Sequence, residues 1–417
     1  MASEFDILIK NSKLRGNEEK LYDIAVSSGK IEKIEENISG NAQTVIDAEG
    51  NLVTESFVNT HLHLCKVYTL MMMDDEAMLA YQGGNSIDMG KAMTGIELAA
   101  KVKEKYDESW IIKNVRKAVA LSAKYGGTHI RALADVDSKA KLEGVKALIK
   151  AREEFKGIVD IQVCAFAQDG IVREPGAADL VREAMKLGAD VVGGIPWIEY
   201  TDEDIKEHVK VIFDIAEEFD KPVSMLVDDA GDPGLRSLET MALETIKRGW
   251  QGRSLAHHAR AMALYPTPYL EKIAALLKQA NMGVVSDPQT GPLHARVREL
   301  LEMGCLVCLG QDDISDAYYA FGRNNLMEVA FVVAHILWMT TRPDLEVLYD
   351  LVTKNAAKAI GLNDFEIKVG APANLVVLDQ PNVLEALRYH DAPKYVVSHG
   401  KLVDQAKMDS IIENLEW

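Results

Sequence analysis

The sequence predicts a TIM-type (β/α)8 barrel with a small β domain built from both chain termini. Three observations support this α/β fold class. The chain has 417 residues, which is too many for one simple core and suits a large barrel with a smaller companion. From Ser56 onward, apolar strand-like runs alternate eight times with amphipathic helical runs. Strand-rich segments precede and follow this region.

The two ends of the chain are predicted to pair with each other. Short strands separated by polar turns are expected at residues 5–11, 22–27, 31–34 and 44–53. The β pattern returns at residues 374–378 and 395–403, and a short helix is expected at residues 407–417. We therefore assign residues 1–55 and 366–417 to the small β domain and residues 56–365 to the barrel.

The barrel elements follow from the alternation itself. Buried parallel strands are largely apolar, and such runs occur at residues 58–64, 129–136, 160–167, 190–195, 223–229, 254–260, 283–287 and 306–312. Helices are predicted at residues 141–155, 177–187, 202–219, 238–248, 268–279, 295–303, 325–339 and 345–360. The connection after the first strand is the longest.

Composition excludes several classes of protein. A net charge of -18 argues against nucleic acid and anionic membranes as partners, because phosphate binding needs a basic patch. Four cysteines are too few for a disulfide framework, and Cys305 and Cys308 lie three apart on a predicted strand, so they point to opposite faces. The first residues lack the pattern of a secretory signal, and the longest apolar stretch, residues 329–339, is about half of a ~20-residue membrane span. We expect a cytoplasmic protein.

The first barrel strand ends in His61-Leu62-His63. In such barrels the reacting groups sit at the carboxyl ends of the strands. Histidines at positions i and i+2 point to the same side of a strand, so both imidazoles can reach one metal ion, typically zinc. The alternative is an ordinary pair of polar residues after a strand.

Four further strand ends carry carboxylates, imidazoles or an amide. They are Gln168-Asp169, Asp228-Asp229, His257-His258 and Gln311-Asp312-Asp313. Solvation alone does not explain such convergence, so we predict an active site at this end of the barrel.

The other histidines are assigned ordinary roles. His129 begins the second strand, at the opposite end of the barrel, and His294 is at most a rim residue. Surface or core positions are expected for His208, His335, His390 and His399.

Six segments carry a resemblance to a known family through their order and spacing: residues 56–66, 161–168, 188–194, 258–262, 311–313 and 369–375. They resemble the cytosine deaminase branch of the amidohydrolase superfamily. They are also similar to its N-isopropylammelide amidohydrolase members, which remove an alkylamine from an s-triazine ring. The resemblance extends from about residue 5 to residue 404 and implies the same barrel fold.

The resemblance implies a metal-dependent site. His61, His63 and Asp312 correspond to ligands of one divalent metal, usually zinc or iron. Such an ion lowers the pKa of water towards neutrality and so provides a nucleophile, whose proton Asp312 accepts. His258 matches the residue that orients or polarises the electrophile, and Asp229 matches the acid that passes protons to the leaving amine.

The resemblance also implies a small nitrogen heterocycle as substrate. Gln168 matches a side chain that hydrogen-bonds the amide edge of the ring, a role suited to a group that both donates and accepts. Lys66, Asp313 and Tyr318 match positions that line the pocket. Relatives with this architecture commonly form oligomers, so a homo-oligomer is expected.

The sequence departs from the family at one metal ligand. A further histidine is required at the end of the fifth strand, three residues before the acid, and Leu226 occupies that position. Leu133 stands where some relatives carry a histidine on the second strand. Two histidines and one carboxylate can suffice for a catalytic metal. Because residues 226 and 228 share a face of a strand, Asp228 is a candidate substitute ligand.

Three functions remain open at this point. The first is a metal-dependent hydrolase acting on a C–N bond of a cytosine-, creatinine- or s-triazine-like ring. The second is an acid–base enzyme on the same barrel without a tightly bound metal, in which His61, His63 and Asp312 bind substrate or transfer protons. The third is a non-catalytic binding protein, since a fold does not fix a function. The five polar strand ends argue against this last alternative.

Overall fold

A computed structural model describes residues 4–73, 96 and 99–413 of the chain. Its strands are β1 (Phe5–Leu14), β2 (Asn17–Ser27), β3 (Lys30–Glu35), β4 (Ala42–Asp47), β5 (Val53–Glu55), β6 (Phe57–Leu62), β7 (Gly127–Asp135), β8 (Asp160–Ala167), β9 (Val191–Gly194), β10 (Val223–Val227), β11 (Ser254–His258), β12 (Gly283–Ser286), β13 (Val307–Leu309), β14 (Leu375–Val377), β15 (Tyr395–Ser398) and β16 (Lys401–Leu402).

The helices surround and follow the central strands. They are α1 (Glu108–Lys124), α2 (Glu143–Glu154), α3 (Ala177–Leu187), α4 (Asp202–Phe219), α5 (Ser237–Lys247), α6 (Thr267–Gln279), α7 (Val297–Glu302), α8 (Leu326–Ile336), α9 (Arg342–Leu351), α10 (Lys354–Ala359), α11 (Val383–Tyr389) and α12 (Gln405–Glu413). Within the described ranges, no helix is both long enough and apolar enough to cross a membrane.

The eight parallel strands β6 to β13 form the predicted barrel. Each strand pairs with the next one along the chain. Nearly every residue of these strands is buried, as expected where helices cover the outside and side chains fill the inside. The (β/α)8 fold class is therefore confirmed.

Helix α4 illustrates why the covering helices form where they do. The Thr201 side chain accepts a hydrogen bond from the backbone N–H of Asp204, and the Asp204 side chain bonds back to the backbone of Thr201. This capping box satisfies N–H groups that have no partner within the helix. Buried apolar residues then recur at three- and four-residue intervals and pack on the barrel: Ile205, Val209, Ile212 and Ala216.

The barrel closes between β13 and β6 through the main chain of the candidate site. The N–H of Asp312 donates to the His61 carbonyl over 2.9 Å, and the N–H of His63 donates to the Asp312 carbonyl over 2.9 Å. A Cβ atom at Gly310 would lie 2.6 Å from Cβ of His61, so a side chain does not fit there. The seam therefore fixes the three predicted metal ligands relative to one another.

The small β domain has two four-stranded sheets. Their orders are β3-β2-β1-β4 and β16-β15-β14-β5, so β5 from the N-terminal segment pairs with β14 from the C-terminal segment. The two sheets share one apolar core, which includes Ile7, Ile9, Leu375 and Val397. The prediction that both termini build this domain is confirmed.

Several helix boundaries differ from the prediction. The helix expected at residues 345–360 is two helices, α9 and α10, because Thr353 has a non-helical backbone with φ −125° and ψ −97°. Helices α1 and α11 were not predicted. The predicted C-terminal helix begins at Gln405, and residues 414–417 lie outside the described part of the chain.

Candidate functional site

Three imidazoles surround one carboxylate at the carboxyl end of the barrel. Oδ1 of Asp312 lies 3.0 Å from Nε2 of His61, 3.9 Å from Nε2 of His63 and 3.8 Å from Nε2 of His258. All four side chains are buried. The structure thus brings together the three residues predicted as metal ligands and one predicted as catalytic.

The ends of the strands turn inward through an unusual backbone conformation. Asp312 has φ +67°, His258 has φ +67° and the following Ala259 has φ +50°. Non-glycine residues seldom adopt this left-handed conformation because it is strained. Residues that do adopt it are common at functional sites. Here it bends the chain out of β11 and places His258 and Asp312 beside His61.

The four residues fit a divalent transition metal. Their ligand atoms all lie within 4.8 Å of one another. Two atoms bound to a tetrahedral zinc ion are separated by roughly 3.3 Å, and the distances around Asp312, from 3.0 to 3.9 Å, bracket that value. Among the described residues, the buried Nε2 of His61 has no partner with hydrogen-bond geometry. An ion would satisfy this nitrogen.

A second layer of side chains orients the imidazoles. Nδ1 of His61 lies 2.6 Å from Nδ1 of His257, and Nδ1 of His258 lies 2.9 Å from the carboxylate of Asp287. These contacts direct the Nε2 atoms of His61 and His258 to Asp312, as outer partners do for metal-binding histidines. His257 was predicted to lie at this end of the barrel without an assigned role, and Asp287 was not predicted as a site residue.

Arg260 connects the predicted proton carrier to Asp312. Its Nε donates to Oδ1 of Asp229 over 2.6 Å, and its NH2 donates to Oγ1 of Thr290 over 2.8 Å. The Thr290 hydroxyl in turn lies 2.8 Å from Oδ2 of Asp312. Oδ2 of Asp229 also lies 3.9 Å from Nε2 of His258. Asp229 and Asp312 are thus both held in place around His258.

The charges around His258 favour its protonated form. Burial lowers the pKa of His258, but Asp229, Asp287 and Asp312 outweigh this and raise it to about 9. Burial likewise disfavours the charge on Asp312, but His258 and His61 hold the pKa of this carboxyl well below its usual value. Asp312 is therefore an ionised carboxylate beside an imidazolium.

The residues predicted to bind substrate form a neighbouring buried cluster. Nζ of Lys66 donates to Oε1 of Gln168 over 2.9 Å and lies 5.0 Å from the centre of the Tyr318 ring. It also lies 3.3 Å from Oδ2 of Asp135, which was not predicted. Burial lowers the pKa of Lys66, but Asp135 and Tyr318 more than offset this and the pKa is raised. A buried ammonium is thus kept charged beside Gln168.

Asp313 lies in the same cluster and shares its proton with Asp316. Burial, then Asp312 and Asp316, raise the pKa of Asp313 well above its usual value, and burial raises that of Asp316 to about 6. Two adjacent buried carboxylates cannot both ionise readily. Asp313 therefore stays protonated, and its proton is hydrogen-bonded to Asp316.

Asp228 does not replace the missing metal ligand, so that prediction was wrong. Its Oδ1 accepts hydrogen bonds from the N–H and the hydroxyl of Ser237, and its Oδ2 accepts one from the Tyr265 hydroxyl. Asp228 has φ +46°, which ends the strand alternation after Val227 and turns its side chain away from the cluster. Leu226 is buried in β10 and pairs with His257 of β11.

The Asp228→Asn variant is expected to bind as much added zinc as the wild type but to be less stable. An amide cannot accept hydrogen bonds from Ser237 and Tyr265 as a carboxylate does, and weakening bonds to a buried charged group reduces the free energy of unfolding by ~1–3 kcal/mol. Urea denaturation and metal analysis measure the two quantities. Loss of zinc without loss of stability would contradict this assignment.

Of the remaining histidines, His208 lies in the core, His335 and His390 lie at or near the surface, and two lie at the far end of the barrel. His208 is buried and its Nδ1 lies 2.7 Å from the Glu199 carboxylate, while His335 and His390 contact main-chain carbonyls of their own helices. His129 and His399 lie at the amino end of the barrel, away from the predicted site.

The chain is similar to characterised proteins over almost its whole length. A sequence model of the amidohydrolase family matches residues 44–404. The N-isopropylammelide isopropyl amidohydrolase of Pseudomonas sp. (strain ADP) is 29% identical over 415 residues, which are 99% of this chain and 97% of that protein. The structure of 5-methylcytosine deaminase from Klebsiella pneumoniae liganded with 5-fluorocytosine has a TM-score of 0.86 and 30% identity, covering 95% of this chain and 97% of that one.

A second solved structure has the same fold at lower identity. It is N-isopropylammelide isopropylaminohydrolase from Burkholderia multivorans ATCC 17616, with a TM-score of 0.84 and 23% identity. The match covers 96% of this chain and 98% of that chain. The barrel and both parts of the small β domain are therefore included in these similarities.

Proposed function

The chain belongs to the amidohydrolase family, and from this premise we propose that it hydrolyses a C–N bond of a small nitrogen heterocycle with the help of one divalent metal ion. The observation that carries the proposal is the arrangement of three imidazole Nε2 atoms around the Asp312 carboxylate. The names of the relatives, a 5-methylcytosine deaminase and an N-isopropylammelide hydrolase, support a cyclic amide or amidine as the substrate class.

His61, His63 and Asp312 are the proposed metal ligands, with zinc or iron as the ion. Two imidazoles and one carboxylate leave coordination positions open, and the main-chain seam holds the three residues together. The ion, when bound, supplies Lewis acidity that lets water act as a nucleophile near neutral pH. Leu226 contributes no ligand, so this set is smaller than in the family pattern.

Asp312 is proposed to accept the proton of the attacking water. Its Oδ2 is fixed by Thr290, while its Oδ1 faces the imidazoles. The low pKa of Asp312 keeps it in the basic form at neutral pH. A single carboxylate can thus both hold the ion and take up a proton.

His258 and Asp229 are proposed to act on the heterocycle. Nε2 of His258 lies 3.8 Å from Oδ1 of Asp312 and 3.9 Å from Oδ2 of Asp229, between the proposed base and the proposed proton carrier. His258 polarises the electrophilic carbon, and Asp229, held by Arg260, carries the proton to the leaving nitrogen.

Gln168, Lys66, Asp313 and Tyr318 are proposed to bind the ring. Nζ of Lys66 donates a hydrogen bond to Oε1 of Gln168, so the side-chain N–H group of Gln168 can serve as the donor to a ligand. This donor favours a ring that carries a carbonyl or ring-nitrogen acceptor, such as a pyrimidinone or a hydroxylated s-triazine.

A panel of aminopyrimidines, s-triazines and creatinine-like rings, assayed for release of ammonia or amine, tests this function. We expect turnover of at least one ring. Chelation should lower the activity by at least about 10²-fold, and added zinc or iron should restore it. A negligible metal content together with activity unaffected by chelator would contradict the metal-dependent mechanism. Ring binding without release of any amine would contradict the enzymatic function.

A further inference from the structure

Three potential metal ligands also meet at the amino end of the barrel. His129 is near the start of β7, Asp160 begins β8, and His399 lies in the turn between β15 and β16 of the small β domain. Oδ2 of Asp160 is 3.0 Å from Nε2 of His399 and 3.6 Å from Nε2 of His129. The three ligand atoms all lie within 4.8 Å of one another.

We propose that His129, Asp160 and His399 bind a second divalent transition-metal ion, of the zinc class, which links the small β domain to the barrel. Two imidazoles and one carboxylate form a donor set that suits zinc and its neighbours and is poorly suited to magnesium or calcium, which prefer oxygen ligands alone. The distances of 3.0 and 3.6 Å again bracket the roughly 3.3 Å expected between ligands of tetrahedral zinc.

The surroundings of His129 orient its free nitrogen. Nδ1 of His129 is hydrogen-bonded to the Thr128 hydroxyl over 2.8 Å, and this hydroxyl is bonded to that of Ser56 over 2.7 Å. A partner on one ring nitrogen fixes the ring and its tautomer, as is usual for metal-binding histidines.

His399 is held by the tight packing of two turns. It has φ +50°, and its N–H donates to Oδ1 of Asn374 over 2.8 Å. A Cβ atom at Gly29 would lie 3.2 Å from the His399 carbonyl oxygen, so the turn between β2 and β3 packs closely against this one. Nε2 of His399 is inaccessible to solvent, and its 3.0 Å contact with Oδ2 of Asp160 lacks good hydrogen-bond geometry. This poorly satisfied nitrogen is the second observation that points to a ligand.

A cavity beside the three residues provides access. It has a volume of about 410 Å³, and His129 and Asp160 line it together with Gln162, Arg253 and Leu362. An ion can enter through this cavity, and a water molecule has room there to complete the coordination. The site is therefore reached independently of the catalytic end of the barrel, which lies across the core.

Zinc counting on the full-length chain tests the proposal. The protein is stripped of metal, loaded with zinc and passed through gel filtration, and the retained zinc is measured together with the rise in Tm. We expect about two ions per wild-type chain and about one fewer in His399→Ala, with a smaller rise in Tm. Asp160→Asn, which keeps the shape of the side chain, provides a second variant in case His399→Ala folds poorly.

A matched control and a comparison variant make the outcome decisive. His390→Ala also removes a half-buried histidine with a left-handed backbone, φ +39°, and is expected to retain all the zinc of the wild type. His63→Ala removes a ligand of the catalytic cluster only. If the wild type binds only one ion, and that ion is lost in His399→Ala but kept in His63→Ala, the second site is supported and the proposed catalytic metal is absent. Equal zinc retention in wild type, His399→Ala and Asp160→Asn overturns the second site and leaves the proposed function standing.

Discussion

The Asp312→Asn variant is expected to lower kcat by at least about 10³-fold while leaving the chain folded. The amide has almost the shape of the carboxylate and can still accept the hydrogen bond from Thr290, so packing is preserved. It cannot take up a proton, however, and it removes the negative charge that His61, His63 and His258 surround. Both the proposed base and one proposed metal ligand are lost in a single change.

Steady-state kinetics on a ring found in the panel, with circular dichroism melting of the same preparations, measures this effect. Asp228→Asn is the matched control, because Asp228 is a similarly buried aspartate at the end of another barrel strand and bonds Ser237 and Tyr265 instead of the cluster. We expect Asp228→Asn to melt earlier yet keep kcat within about threefold of the wild type. If the two variants lost activity equally, the effect of Asp312 would be one of folding.

The barrel could be predicted because its signal is repeated. Eight buried strands alternate with amphipathic helices, and each repetition supports the others. Within the site, His61-Leu62-His63 was predictable from its i, i+2 spacing, and both imidazoles do face Asp312. They do so although β6 ends at Leu62 and its pairing with β7 shifts register between Asn59 and Leu62. The resemblance then added Asp312 and His258, whose position beside His61 no local pattern indicates.

The same rule failed where the backbone leaves the strand. Alternation predicts that Leu226 and Asp228 share a face, but the left-handed conformation of Asp228 ends the alternation one residue early. Strand alternation also predicts that the neighbouring side chains of His257 and His258 point in opposite directions. Because His258 itself has a positive φ, both rings contact His61, with centroid distances of 4.6 and 4.8 Å. The sequence contains no signal of these turns.

Other site residues were missed because they come from separate loops. Thr290 follows β12 and lies outside the segments of the resemblance. Arg260 follows β11 within segment 258–262, but the resemblance assigned it no role. Their role becomes visible only when Arg260 is seen to contact Asp229 and Thr290 together. Contacts between loops of different strands depend on the three-dimensional barrel, so spacing along one segment cannot predict them.

Replacing His258 by alanine is expected to lower kcat by about 10²–10⁴-fold without loss of the bound metal. His258 lies as close to Asp312 as His63 does, so distance alone is compatible with a ligand. Its contacts favour the other role, since Asp287 holds Nδ1 while Nε2 is shared between Asp312 and Asp229. A group placed between a base and a proton carrier is suited to act on substrate.

Metal retention and kcat, measured on the same samples, separate these roles. His63→Ala is the comparison, because removal of a ligand should release the ion and abolish activity together. In His258→Gln, the side-chain amide replaces the Nε2 donor, so this variant is expected to recover part of the activity lost in His258→Ala while its metal content stays unchanged. A parallel loss of metal in His258→Ala and His63→Ala would instead make His258 a fourth ligand. It would then compensate directly for the histidine that Leu226 replaces, and polarisation of the substrate would fall to other groups.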